Sequence, residues 1–252
     1  MRFSKYIIAL FLLSALKINA DEFSIMVDSA NVAYSKNNFE KAIKGYQTVL
    51  DKGVESYEIY FNLGNAYFKS NNLGLAILNY ERAKKLNPDD EDLINNLKLA
   101  NQKTEDKIDA MPELFLKQWK NGMVDLFSER EWSLICITLI ILGLLLFSVY
   151  IISSKSILKQ LGFFGGGLFI ILSVAVFFIA KHKYNLTITT SSAIITTESV
   201  TVSGSPTEKG TKLFVLHEGT KVEITDEGTD WTEVKIANGN VGWIKTSQLE
   251  KI

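Results

Sequence analysis

The sequence predicts a multidomain chain of three unlike parts: an all-α helical-repeat region, a two-helix apolar hairpin and an all-β barrel. Three observations predict this. Two early stretches match each other at a constant offset of 34 residues. Two later runs, each near the roughly 20 apolar residues that cross a hydrocarbon core, carry no charge. After Lys183 the pattern changes to short alternating segments separated by turn residues.

The chain opens on Arg2 and Lys5, then the apolar stretch Ile7–Leu16, then a polar tail ending at Ala20. Charged, apolar and small residues in that order predict a signal peptide over residues 1–20. Its apolar core is short for a membrane span. An uncleaved anchor is the alternative. No cysteine follows the leader, which excludes a lipid anchor on that residue.

The repeat follows. Ala30–Leu50 aligns with Gly64–Leu86, pairing Ala30 with Gly64, Asn31 with Asn65, Ala42 with Ala76 and Tyr46 with Tyr80. Small residues at these places let one helix approach the next, and tyrosine and leucine fill the gap. Pro88 cannot continue the helix before it. With Tyr60, Leu63, Gly64, Tyr67, Ala76, Tyr80, Ala83 and Pro88 in place, the second copy resembles a tetratricopeptide repeat along its whole length. The first copy departs from the pattern at Ser29 and lacks the closing proline. Two helix pairs leave an apolar end that something must cover. Residues 89–108 suit that role, because Leu93, Leu97 and Ala100 form one stripe and acids at the start suit the helix dipole. The expected tetratricopeptide domain with its capping helix spans residues 21–108.

The resemblance implies a groove lined by the first helix of each pair. By it, Asn31, Asn62, Asn65, Lys69 and Asn96 would face a bound peptide. Asn31 and Asn62 stand at the asparagine places of the carboxylate-clamp subtype. Val27, Asp92 and Asn96 stand where that subtype has basic residues, so the clamp is incomplete. Solvated polar positions on an exposed helix face are the alternative for all of these asparagines.

Residues 109–131 form an expected amphipathic juxtamembrane segment. Phe115, Trp119, Met123 and Leu126 share one helical face, with Lys117, Lys120 and Asp125 off it. That pattern suits a helix in the membrane interface, with Trp119 and Trp132 at headgroup depth, or one packed on the capping helix. The charge-free runs Trp132–Ile152 and Leu161–Ala180 are the expected spans. The connection at 153–160 is short, so the spans form a hairpin with both flanks on one side. An exported start puts both soluble parts outside the cytoplasm and the loop inside. Lys155 and Lys159 agree with the positive-inside tendency; Lys181 and Lys183 oppose it. Gly162 and Gly166 are expected to pack the hairpin against itself.

Residues 181–252 hold a linker and the barrel. "SVTVSGSP", "LHEGTKVEI", "DWTEVKI" and "NGNVGWI" closely resemble a bacterial SH3-like domain. Gly219 and Gly239 suit turns that need positive φ. Trp231 and Trp243 are expected to be partly buried with an edge on the surface.

Composition narrows the function. Residues 21–110 hold 15 acidic and 11 basic side chains, and residues 184–252 hold 9 and 6. Neither part has the basic surface that nucleic-acid binding requires. The single cysteine, Cys136, allows no internal disulfide and no cysteine metal cluster. His217 ends a strand before a turn, with no nucleophile motif nearby, so it is expected to hold that turn rather than to catalyse. His182 is given no role. Zinc spacings, a phosphate loop and a nucleophile elbow are absent from the sequence. The expectation is therefore a protein that is not an enzyme and takes no cofactor or metal.

The order of leader, tetratricopeptide pair, hairpin and SH3-like domain resembles BatE-type proteins of the Bat aerotolerance group. The likeness implies a non-enzymatic scaffold in the bacterial inner membrane, with both soluble domains periplasmic. It implies partners among membrane proteins with von Willebrand A domains and a MoxR-type AAA ATPase, and a role in aerotolerance or stress. The alternative is a cell-wall module whose SH3-like domain binds peptidoglycan. A transporter is disfavoured, because two charge-free spans give a solute no polar path.

Overall fold

The computed structural model describes residues 22–109, 111, 122–124, 126–189 and 191–252. The expected signal peptide lies outside these residues, as does most of the juxtamembrane segment, Phe115 and Trp119 included. Described residues before 110 and after 190 form one compact unit, and those from 111 to 189 form another.

In the first unit, five helices come first: α1 (residues 22–35), α2 (Phe39–Asp51), α3 (Tyr57–Lys69), α4 (Leu73–Leu86) and α5 (Glu91–Lys103). The two copies turn in the same way. Asn37 and Asn71 take φ values of 58° and 59°, and the next asparagine caps the following helix. Asn38 Oδ1 accepts from Lys41 N and Asn72 Oδ1 accepts from Leu75 N. Asparagine serves both places because it tolerates left-handed backbone and is a strong N-cap. At Gly64 a Cβ would sit 2.7 Å from the Tyr80 ring, so only glycine allows this approach of α3 to α4. Ser56 and Asp90 cap α3 and α5. The α5 stripe Leu93, Leu97 and Ala100 is buried and covers the end of the solenoid.

Seven antiparallel strands follow: β1 (Ser192–Ile195), β2 (Ser199–Ser203), β3 (Lys212–His217), β4 (Lys221–Glu227), β5 (Trp231–Lys235), β6 (Val241–Lys245) and β7 (Leu249–Lys251). Their order across the sheet is β3-β2-β6-β5-β4-β1-β7. The stretch 192–202, "SAIITTESVTV", reads as one strand in sequence but holds two. Residues 196–198 turn the chain, because β1 pairs with β4 and β7 whereas β2 pairs with β3 and β6. Gly219 and Gly239 hold φ values of 83° and 90°, as their turns require. Ala193, Ile195, Val200, Val202, Leu216, Val234 and Ile244 fill the barrel core. Alternation fails in β1, where Ala193, Ile194 and Ile195 are all buried. Ala193 and Ile195 face the barrel, whereas Ile194 joins the core of the helical repeats.

The second unit is a helical hairpin. Its helices α6 (Glu129–Ile152) and α7 (Ser156–Thr189) are both long and apolar enough to cross a membrane. Ser128 and Glu131 start α6 with a reciprocal capping box. Residues 153–155 alone join the helices, because α7 takes up Ser156–Gln160 as its first turn. A Cβ on Gly162 would lie 2.6 Å from Leu146 O and 2.7 Å from Tyr150 N, and one on Gly166 would lie 3.0 Å from Gly143 O. The glycines pack the hairpin against itself, backbone to backbone. The Cys136 thiol donates to the Ser173 carbonyl across the pair at 3.4 Å. Outward-facing Leu144, Leu145, Phe164 and Ile171 are exposed, an arrangement suited to hydrocarbon rather than water.

Candidate binding surfaces

The asparagines expected in the groove form a bonded row. The Tyr46 hydroxyl donates to Asn31 Oδ1 at 2.6 Å, and Asn62 Nδ2 donates to the same oxygen at 3.3 Å. One repeat later the Tyr80 hydroxyl donates to Asn65 Oδ1 at 2.8 Å, and Asn96 Nδ2 donates to it at 3.0 Å. Each accepting asparagine thus ties its own helix to the second helix of its pair and to the first helix of the next unit. Burial pushes the Tyr46 hydroxyl up to about 12, and raises that of Tyr80 as well, so both remain proton donors. Lys69 is exposed at the end of α3 and is not bonded into the row.

Asn65→Ala removes the acceptor of a hydroxyl on a residue that is 1% exposed. The expected loss is about 1–2 kcal/mol, because a buried donor left unmet costs its desolvation. Adding Tyr80→Phe to Asn65→Ala should recover part of that loss. Urea midpoints of the single and double variants measure both effects.

A second set of contacts joins the barrel to the repeats. Asp106, three residues after α5, accepts from His217 N at 2.7 Å and from the Thr220 hydroxyl at 2.6 Å. Its other oxygen meets His217 Nδ1 at 2.8 Å, and Glu105 lies 3.4 Å from His217 Nε2. Burial alone would raise the Asp106 carboxyl, but the bonds from Thr220 and His217 outweigh it and hold it below the usual range. The bond to Asp106 lifts His217 above the usual histidine range, against partial desolvation and with help from the charges of Asp106 and Glu105. Glu218 Oε2 accepts from Gly74 N at 3.2 Å, where the α4 N-terminus favours an anion. Lys221 pairs with Glu81 at 2.8 Å. A Cβ on Gly219 would lie 2.8 Å from Ile77 Cδ1 and 2.9 Å from Thr104 Cγ2, so this turn sits tight against the helices.

His217 therefore does hold its turn, and it does so by gripping the segment after α5. Asp106 and Glu218 carry no sequence signal for this, since their partners lie 111 and 144 residues away. A cleft of about 640 Å³ lies beside this junction, between α2, α3, α4 and β7. Two donors on α4 close one side of it. Arg82 donates to the Lys251 carbonyl and Lys85 to the Ile252 carbonyl, both at 2.7 Å. On the barrel, Trp231 and Trp243 are both half-buried. Register puts them on one face: Trp243 lies opposite Glu233, two residues from Trp231.

Comparison with known families agrees with this architecture. A tetratricopeptide repeat model matches residues 57–90, and a second TPR repeat model matches residues 30–71. A bacterial SH3 domain model matches residues 204–250, which leaves β1 and β2 outside the matched part. No curated protein matches the chain. Tetratricopeptide repeats and bacterial SH3 domains are typically non-catalytic modules that bind proteins or cell wall.

Proposed function

We propose that the chain is a non-enzymatic scaffold held in the bacterial inner membrane by the α6–α7 hairpin. Both folded modules would then stand in the periplasm and grip protein partners. The observation that carries this reading is the joint body of repeats and barrel, carried on the same chain as two helices apolar enough to span. The domain limits follow the sequence reading: signal peptide 1–20, repeats and cap 21–108, juxtamembrane segment 109–131, spans 132–152 and 161–180, loop 153–160, and linker with barrel 181–252. The repeat groove is assigned to Asn31, Asn62, Asn65, Lys69 and Asn96, a row whose asparagines are already held by their own hydrogen bonds. Trp231 and Trp243 are assigned to the barrel's contact face. Domain order supports membership of a Bat/MoxR-type complex linked to aerotolerance or stress. Crosslinking in native membranes should capture von Willebrand A-domain proteins and a MoxR-type ATPase. Recovery of neither would remove that assignment.

The match to a bacterial SH3 domain favours a second reading, in which the barrel binds peptidoglycan. Retention of the full chain on purified cell wall, abolished by changes at Trp231 and Trp243, would support it over the first.

A further inference from the structure

The cleft between α2, α3, α4 and β7 is distinct from the asparagine-lined groove, and its polar groups are unevenly satisfied. Arg82, Lys85, Lys251 and Gln47 each make a hydrogen bond within the protein. Arg82 and Lys85 hold the carbonyls of residues 251 and 252, and Arg82 also faces Glu250 at 3.6 Å. The Lys251 ammonium is drawn off to Glu227 on β4. Gln47 Nε2 donates to the Tyr67 hydroxyl at 2.6 Å.

Unmet acceptors line the same cleft. The Asp51 carboxylate at the end of α2 has no partner among the described residues. Glu55 also lines the cleft, beside the Tyr60 hydroxyl. Asn79 lines the cleft at 2% exposure; its Nδ2 donates to Leu75 O at 2.8 Å, but its Oδ1 has no partner. A buried acceptor left unmet is costly, and in native proteins it calls for a donor from outside. Leucines from all three helices add apolar wall between these acceptors.

The geometry points to an aliphatic ammonium ligand, the lysine side chain of a partner protein, held in this cleft. An apolar stem fits the leucine walls, and a three-donor head fits acceptors that lack donors. The nearby cations Arg82, Lys85 and Lys251 each hold another partner, and none of them bonds Asp51 or Asn79 Oδ1. The site adds a specific recognition to the scaffold reading without resting on the membrane placement.

The test is calorimetric titration of the full chain in detergent micelles with acetyl-Ala-Lys-Ala-amide and with its norleucine counterpart. The lysine peptide should bind about tenfold more tightly or better, since a charge-assisted bond is lost in the other. Asp51→Asn and Asn79→Ala should each weaken lysine binding by a similar factor and leave the norleucine peptide unchanged. The equivalent of Asn79 in the first repeat is Gly45, so a small side chain is compatible with this helix position. Asp51 is exposed, so its variant keeps the test valid if Asn79→Ala folds poorly. Equal affinity for the two peptides, unchanged affinity in Asp51→Asn, or no binding at millimolar concentration would each overturn the assignment. None of these outcomes bears on partner capture by crosslinking, which tests the scaffold reading separately.

Discussion

Ile194→Ala should lower the urea midpoints of the helical repeats and of the barrel together. Ile194 belongs to β1 by its backbone, yet it is fully buried among residues of the repeat core. Removing three carbons there forfeits transfer energy and leaves a cavity, at a cost of about 3 kcal/mol. If β1 were simply part of the barrel, the loss would fall on the barrel alone. Because a barrel strand places this side chain in the repeat core, its loss loosens both folds. Barrel unfolding is read from the fluorescence of Trp231 and Trp243 in a background with Trp119→Phe and Trp132→Phe, and repeat unfolding from the urea-sensitive helical signal. The two curves should shift by the same amount and remain superimposed. A shift in fluorescence with an unmoved helical transition would show that the cores are independent.

Asp106→Ala should cost a similar amount, about 3 kcal/mol, by a different route: one carboxylate accepts from a backbone N–H, a hydroxyl and an imidazole, and alanine leaves all three donors unmet at a half-buried junction. The same contacts give the junction a pH window. His217 is raised above its ordinary 6.5, so its contribution is complete below that value and is lost as pH rises through the folded one. Asp106 is lowered from 3.8, so its contribution is present above that value and is lost as pH falls through the folded one. The junction is therefore tightest in mildly acid solution. Urea midpoints of the wild-type chain should fall as pH rises above 6.5, and this slope should flatten in Asp106→Ala. Parallel pH profiles for the two proteins would assign the slope to other groups.

The parts of the fold visible in sequence are those that a chain writes along its own length. The 34-residue offset registers Tyr46 with Tyr80 and Asn31 with Asn65, and the structure gives each pair the same bond. The Leu93, Leu97 and Ala100 stripe marks the buried side of α5, and Gly219 and Gly239 mark their turns. Periodicity reports which side of an element is covered, but not by what. Asp106 and Glu218 look like ordinary surface acids, because their partners are reached only after the chain has left the repeats and returned. Adjacent Ile194 and Ile195 did carry a clue: a strand that breaks alternation is covered on both sides. The asparagine row was legible as a set of positions but not as a bonded ladder, since nothing in the residue types tells a groove-facing amide from a bridging one.

β1 stands outside the stretch that matches a bacterial SH3 domain, and it is the strand wedged into the helices. A fragment trimmed to the recognisable module would therefore begin after its own keystone. The helical half made alone would have an open socket where Ile194 belongs. Grafting either half onto another protein would have to carry residues 192–203 and the Glu105–Asp106 hook along with it. The two modules are therefore hard to separate.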